Sequence, residues 1–405
     1  MSQPPLYPEI GVVALVPDRW TPQWQPRHFV LSRLAAYFSV VWVNYPHGWR
    51  KTLSALRERG ATDYPPCPPG LQIYRPEPWL PLVGRPQWLG EFTSRQRLLR
   101  ACRLLRARGC RKIVVYIWRP EFARALKQLP WDLSVYHVDD EYSFSSTETA
   151  ISAEELALLQ SAGQVFIHSP ALLEKKGRFN RNTEFVPNGV EYQAYATPLE
   201  EPDDLRRISH PRIGYVGHLK QMLDWKLLQE LSATHPQWSF VFVGPTSPHP
   251  AIALALEQMA GRPNVYFLGA KKTEELGAYP QHFDACIMPY KVDDYTRYIY
   301  PLKMHEYLAS GRPVVSAPIR SVREFEHVIG IANTPGEWSS ALERALSAEE
   351  NTPQAFASRR DVARQHDWDA LVHRIARTIK ERLHPDLASS RARDSHSVSL
   401  SAPLL

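Results

Sequence analysis

Short apolar, β-branched runs recur along this chain, each followed by a loop and a helix-compatible stretch. That alternation constrains the fold more than any other feature. Ile10 to Val16 predicts a buried strand ending at Pro17. A helix of about Arg27 to Phe38 follows, with Phe29, Val30, Leu34 and Phe38 on one face, and then a strand at Val40 to Val43. Such a βαβ opening demands a parallel sheet with helices on its faces. The strands Lys112 to Trp118, Leu133 to His137, Gln164 to His168 and Thr183 to Val186 continue it. Helices are predicted between them at Glu121 to Gln128, Ala153 to Ala162 and Pro170 to Arg178. The pattern restarts at Pro211 to Gly217 and runs through Trp238 to Val243, Val265 to Leu268, Asp284 to Met288 and Pro313 to Ser316. Two such series in 405 residues predict two doubly wound α/β domains.

The expected boundaries are 1–190 for the first domain, an aperiodic polar linker at 191–210, and 211–365 for the second domain. A final helix is expected at 366–383 and a disordered tail at 384–405. Hydrophobic content of 44% and charged content of 22% exclude a chain that is disordered throughout. Cys67, Cys102, Cys110 and Cys286 are scattered without metal spacing and predict reduced thiols. The segment MSQPPLYPEI lacks a basic region before an apolar core, so no signal peptide is expected, and no apolar run nears the roughly 20 residues that span a bilayer. The net charge of +6 permits nucleic acid, anionic lipid or phosphorylated substrates without choosing among them. The fifteen histidines do not cluster with acids at ligand spacing, so no protein-bound metal is expected.

Tyr298 to Pro318, YIYPLKMHEYLASGRPVVSAP, reads as loop, short helix, glycine stop and buried strand. On a helix starting at Pro301, Lys303, Glu306 and Ser310 project within about one 60° sector. A cation and a carboxylate on that face suit the diphosphate and ribose of a sugar nucleotide; the plain alternative is a surface pair at i, i+3. Val138-Asp139-Asp140-Glu141-Tyr142 places three carboxylates at a strand's C-terminal end. Crowding raises carboxyl pKa values, which suits a general base; the alternative is a solvated turn or a helix start. Gly217 opens a loop before the helix Leu223 to Ala233, where backbone can approach a phosphate. Asp224 there reads as a helix N-terminal acid, and Tyr290 either stacks on a base or belongs to the core. Asp18, Arg19, Trp20 and the segment Asn44 to Gly48 lie on the ligand side of the first domain, as site residues or as ordinary loop. A helix of about Glu91 to Gly109 carries Arg95, Arg97, Arg100, Arg103, Arg106 and Arg108 beside an apolar stripe of Phe92, Leu98, Leu99, Cys102 and Leu105. It suits an anionic membrane surface or a surface helix packed on its own sheet.

PLKMHEYLASGRPVVS resembles the sugar-nucleotide signature of GT-B glycosyltransferases, in the group 1 (family 4-like) subgroup that writes PLK-x-x-EYLA-x-G-x-PVV. The chain is also similar to inverting glucuronosyltransferases of exopolysaccharide assembly. The resemblance implies two Rossmann-like domains facing a central cleft, with the donor on the second and the acceptor on the first. It implies that Glu306 binds the donor ribose and that Lys303, Gly217, His218 and Lys220 neighbour the diphosphate. It places Pro187-Asn188-Gly189-Val190 against the cleft, backbone of the loop Gly269 to Lys272 at the nucleotide base, and an aspartate of the Asp139-Asp140 pair as base. Trp20 and Asn44 become acceptor-side candidates. The glutamate that retaining relatives carry eight residues before Glu306 is Tyr298 here, so the retaining mechanism does not carry over.

The expectation is a cytoplasmic glycosyltransferase, in peripheral contact with anionic membrane on its inner face. It would use a nucleotide-diphosphate-sugar (a UDP-sugar) as co-substrate, no other cofactor and no metal, and would bind no nucleic acid. It would act on a saccharide or lipid-linked hydroxyl acceptor in polysaccharide or glycolipid assembly. The alternatives are a nucleotide-sugar epimerase or hydrolase on the same fold, or a catalytically silent homologue that binds a partner.

Overall fold

The computed structural model describes residues 4–21, 24–44, 66–83, 85–142 and 150–384. Residues 45–48 and the tail from 385 onward, about which the sequence makes expectations, lie outside the described residues.

The alternation folds as two parallel sheets. The first comprises β1 (Ile10–Leu15), β2 (Ser39–Val43), β3 (Leu71–Tyr74), β4 (Lys112–Ile117), β5 (Leu133–Val138), β6 (Gln164–Ile167) and β7 (Thr183–Phe185), in the order β3-β2-β1-β4-β5-β6-β7. The second comprises β8 (Arg212–Val216), β9 (Ser239–Val243), β10 (Val265–Gly269), β11 (Ala285–Met288), β12 (Val314–Ser316) and β13 (Gly330–Ile331), in the order β10-β9-β8-β11-β12-β13. Each order reverses once, between β1 and β4 and between β8 and β11. Those switch points open crevices at the strands' C-terminal ends.

Strand periodicity explains why both faces of the first sheet are apolar. Val12, Ala14, Val40, Trp42 and Val114 share one cluster, and Val13, Leu15, Val41, Val43 and Val115 share the other. The first face is covered by the helices Pro26–Leu34 and Trp368–Leu383. The latter comes from the chain's far end and buries Trp368, Leu371, Val372, Ile375 and Ile379 there. The opposite face takes the helix Gln87–Ala107 through Leu98, Ala101 and Leu105.

Three expectations change. The segment 191–210 is not aperiodic, since it forms the short helices Tyr192–Ala196 and Asp203–Arg206. The first helix stops at Leu34 rather than Phe38. Trp20 is no ligand-side surface residue: its ring is fully buried, 5.1 Å from Trp42 and 5.4 Å from His28.

Candidate functional site: the strand ends of the two sheets

β8 ends at Val216, where Tyr307 locks it. The Val216 amide donates to the Tyr307 hydroxyl at 2.8 Å, and that hydroxyl donates to the Val216 carbonyl at 3.2 Å. Tyr307 belongs to the helix Leu302–Ser310, capped by Pro301 and stopped by Gly311 at φ 82°. Met304, His305, Tyr307 and Leu308 are its buried face, which leaves Lys303 and Glu306 half-buried toward the strand ends. Ser310 does not share that opening; it is buried and donates to the Tyr307 carbonyl at 2.7 Å.

Gly217 follows β8 with φ +142°, a conformation other residues resist. A Cβ there would stand 3.0 Å from Lys303 Cε and 3.1 Å from its Nζ, so the glycine also makes room for the ammonium. Lys303 Nζ lies 5.1 Å over the Tyr215 ring and 5.7 Å over the Tyr290 ring. Burial works to lower its pKa, but the Tyr215 and Tyr290 hydroxyls and the Glu306 carboxylate outweigh it and hold the proton on. Partial burial of the Lys220 ammonium, then the charge of Lys303, lowers the Lys220 pKa. His218 is lowered by burial and then by Lys220. The cations repel one another at the mouth of β8, an arrangement that an anion would relieve.

Glu306 has a different partner from Lys303. The Tyr195 hydroxyl, from the helix Tyr192–Ala196, lies near enough to the Glu306 carboxylate to shift the pKa of both groups. Burial raises the Glu306 pKa, while Lys303 and Tyr195 pull it back. The surface-pair alternative therefore does not describe this helix face. Asp224 caps the helix Trp225–Thr234, accepting from the Leu227 amide at 3.0 Å, as the sequence predicts.

Across the crevice, β5 delivers Asp139 and Asp140, and their environments differ. Asp139 is 7% exposed; it accepts from Arg27 Nη1 at 2.8 Å and from the Tyr142 hydroxyl. Asp140 accepts from the Glu141 amide at 2.8 Å. Burial, then the Asp139 charge, pushes the Asp140 carboxyl from 3.8 up to about 6. Tyr295, in the loop leaving β11, has its hydroxyl pKa raised by burial and then by the Asp140 charge. The acid of the first sheet and the loop that carries Tyr290 are thus electrostatic neighbours.

The structure brings Gly217, His218, Lys220, Tyr290, Lys303 and Glu306 together at one strand end, with Asp139 and Asp140 opposite. Trp20 and Asn44 do not join them. Asn44 is buried, with its Oδ1 accepting from the Trp20 amide at 3.2 Å, and it lines a separate cavity of about 320 Å³. Sequence reasoning missed Tyr195, Tyr215, Arg27 and Tyr142. Tyr142 and Tyr215 lie inside stretches that sequence reasoning singled out for other residues, whereas Arg27 and Tyr195 meet partners that only the fold brings near. Among the described residues, no group of three His, Cys, Asp or Glu side chains stands close enough to hold a metal, and no helix is long and apolar enough to cross a membrane.

Residues 210–348 match the family of glycosyl transferases group 1. A Bacillus subtilis (strain 168) protein, named as the teichuronic acid biosynthesis glycosyltransferase TuaH, is 29% identical over 283 residues, covering 63% of this chain and 69% of its own. Among solved structures, sucrose-phosphate synthase from Thermosynechococcus elongatus superposes with a TM-score of 0.68 at 16% identity, covering 92% of this chain and 98% of that one. Anabaena HepE in complex with UDP and glucose gives 0.66 at 16% identity, over 92% and 100%. Those two share the fold. Together with the group 1 match over residues 210–348, they support a glycosyltransferase enzyme with the GT-B fold.

Proposed function

We propose that the enzyme moves a sugar from a nucleotide-diphosphate-sugar, a UDP-sugar, to a hydroxyl of a saccharide or lipid-linked acceptor in polysaccharide or glycolipid assembly. The observation that carries this reading is the Lys303 ammonium held against Gly217, close enough to Lys220 for its charge to lower the Lys220 pKa. A diphosphate placed there accepts from both ammonium groups and from the backbone after β8. Glu306, with Tyr195 beside it, accepts from the ribose diol, and Tyr290 borders the base. The leaving diphosphate is neutralised by side chains, so the reading is metal-independent.

Asp140 is the base in this proposal and Asp139 its positioning neighbour. Asp139 is spent on Arg27 and Tyr142, whereas Asp140, near pH 6, can take a proton at neutral pH. The acceptor hydroxyl gives its proton to Asp140 and its oxygen attacks the anomeric carbon. The bond from that carbon to the diphosphate oxygen breaks on the far face, so the product is inverted. The location is cytoplasmic, where nucleotide-sugars are available.

Thermal denaturation against a panel of nucleotide-sugars tests the donor. A ligand at 100 times its Kd stabilises by about 2.7 kcal/mol. If neither UDP nor any nucleotide-sugar raises the Tm, the diphosphate assignment fails.

A further inference from the structure

The helix Gln87–Ala107 has two unlike faces. At about 100° per residue, Leu98, Ala101 and Leu105 lie together, and all three are buried on the first sheet. The opposite side carries Trp88, Phe92, Arg95, Leu99, Arg103 and Arg106. Phe92 therefore does not belong to the stripe that packs. Trp88 is 68% exposed and Phe92 54%; Trp79 and Leu82, in the segment just before the helix, are 59% and 40% exposed. That segment lies against the helix, since buried Arg97 donates to the Leu80 and Pro81 carbonyls at 2.7 and 2.9 Å. Four of the nine large apolar side chains exposed among the described residues thus fall within 79–92. A protein surface with two open tryptophans and a phenylalanine at one helix end calls for a cover.

Charge says which cover. Between residues 75 and 108 stand eight arginines and two glutamates, an excess equal to the +6 of the whole chain. Arg97 is used inside and Arg100 pairs with Glu77. Arg85, Arg95, Arg103, Arg106 and Arg108 are exposed. Indole and phenyl rings at the level of headgroups, flanked by arginines, are the chemistry of an anionic bilayer surface.

We propose that Trp79, Leu82, Trp88 and Phe92, with Arg85, Arg95 and Arg103, form an interfacial anchor that docks the N-terminal half on an anionic bilayer. The rings enter the headgroup boundary and the arginines meet lipid phosphates. Leu82 and Gln87 also line the 320 Å³ cavity that Asn44 borders, so the anchor adjoins a recess of mixed lining in the same half. The anchor is independent of the donor chemistry, and nucleotide-sugar binding can succeed or fail without touching it.

The test is co-sedimentation of the full chain with phosphatidylcholine vesicles, with and without phosphatidylglycerol. Anionic vesicles should bind it at least about tenfold better, with a loss of about fivefold for each arginine removed in R95Q/R103Q. Raising the salt from about 0.1 to about 1 M, where the Debye length falls from about 10 to 3 Å, should release most of it. W88S/F92S changes only exposed side chains and should lose binding about tenfold while keeping the wild-type Tm. Equal recovery on neutral and anionic vesicles overturns the proposal, as does wild-type binding by W88S/F92S. It is also overturned if sedimentation velocity shows a dimer that W88S/F92S dissolves, because the cover is then a second copy.

Discussion

Asparagine substitution separates the two aspartates at the end of β5, because it keeps their shape and removes their charge. Asp140→Asn retains an oxygen for the Glu141 amide but cannot take a proton. Turnover should fall by about 10²–10⁴-fold, or roughly 3–5 kcal/mol of barrier, with donor affinity unchanged. The same substitution should stabilise the fold. The Asp140 pKa rises from 3.8 to about 6 on folding. At 1.36 kcal/mol per tenfold change in proton affinity, the ionised carboxylate costs at most about 3 kcal/mol. The sign follows from proton binding. The folded chain holds this proton more tightly than the unfolded one, so wild-type stability falls as pH rises from about 4 to about 6 and then levels off. Asp140→Asn should therefore gain over wild type across that window and keep the gain at pH 7. Asp139→Asn should do the opposite: it removes the charge that pairs with buried Arg27, at a cost of up to about 3–5 kcal/mol. Chemical denaturation from pH 4 to 8 beside single-turnover rates reads both effects. Turnover by Asp140→Asn within a few-fold of wild type would refute the base assignment. A stability difference from wild type that stays flat from pH 4 to 8 would refute the electrostatic reasoning.

Two further substitutions test the donor side. Glu306→Ala should lose a charge-assisted hydrogen bond worth about 1.5–3 kcal/mol, seen in calorimetry as a roughly 10–150-fold rise in donor Kd; an unchanged Kd in the folded variant would remove the ribose role. Gly217→Ala puts a methyl 3.0 Å from Lys303 Cε at φ +142°, so it should weaken nucleoside diphosphate binding at least about tenfold; wild-type UDP affinity would show that Lys303 does not depend on that space.

The strands were legible because parallel strands buried on both faces leave continuous β-branched runs, as in Val40 to Val43 and Ile113 to Trp118. Gly311 and Asp224 were legible because helix ends have local chemistry, and both occupy the caps their residue types suggest. The basic helix was half legible. Phe92 lies six residues before Leu98, a spacing that turns it away from the buried stripe, and only its exposure shows that it faces solvent. Tyr195 was not legible at all, since its helix is five residues long and its partner Glu306 is distant in sequence. Trp20 misled for a related reason. Its loop position suggests the ligand side, but its ring is drawn into a core with Trp24, His28 and Trp42.

Tyr298 marks where the chain departs from retaining relatives, and its surroundings explain what the departure does. Its ring is buried in the cluster of the first sheet with Val13, Ile117 and Leu172, although its own segment leaves the second sheet. Lys175 Nζ lies 5.1 Å over that ring and pairs with Glu141 at 3.3 Å; Glu141 also meets buried Lys176, which holds Glu155 at 2.7 Å. A carboxylate at position 298 would enter an apolar cluster beside a lysine already engaged, at a desolvation cost with little return. The tyrosine instead ties the loop leaving β11 to the half that supplies Asp140. Tyr290, Tyr295 and Tyr298 sit in sequence along that loop, next to Lys303, next to Asp140 and inside the first core, respectively. One anchored segment therefore sets the approach of the two strand ends, and with it the distance between the cations and the carboxylate that are proposed to act on the same bond.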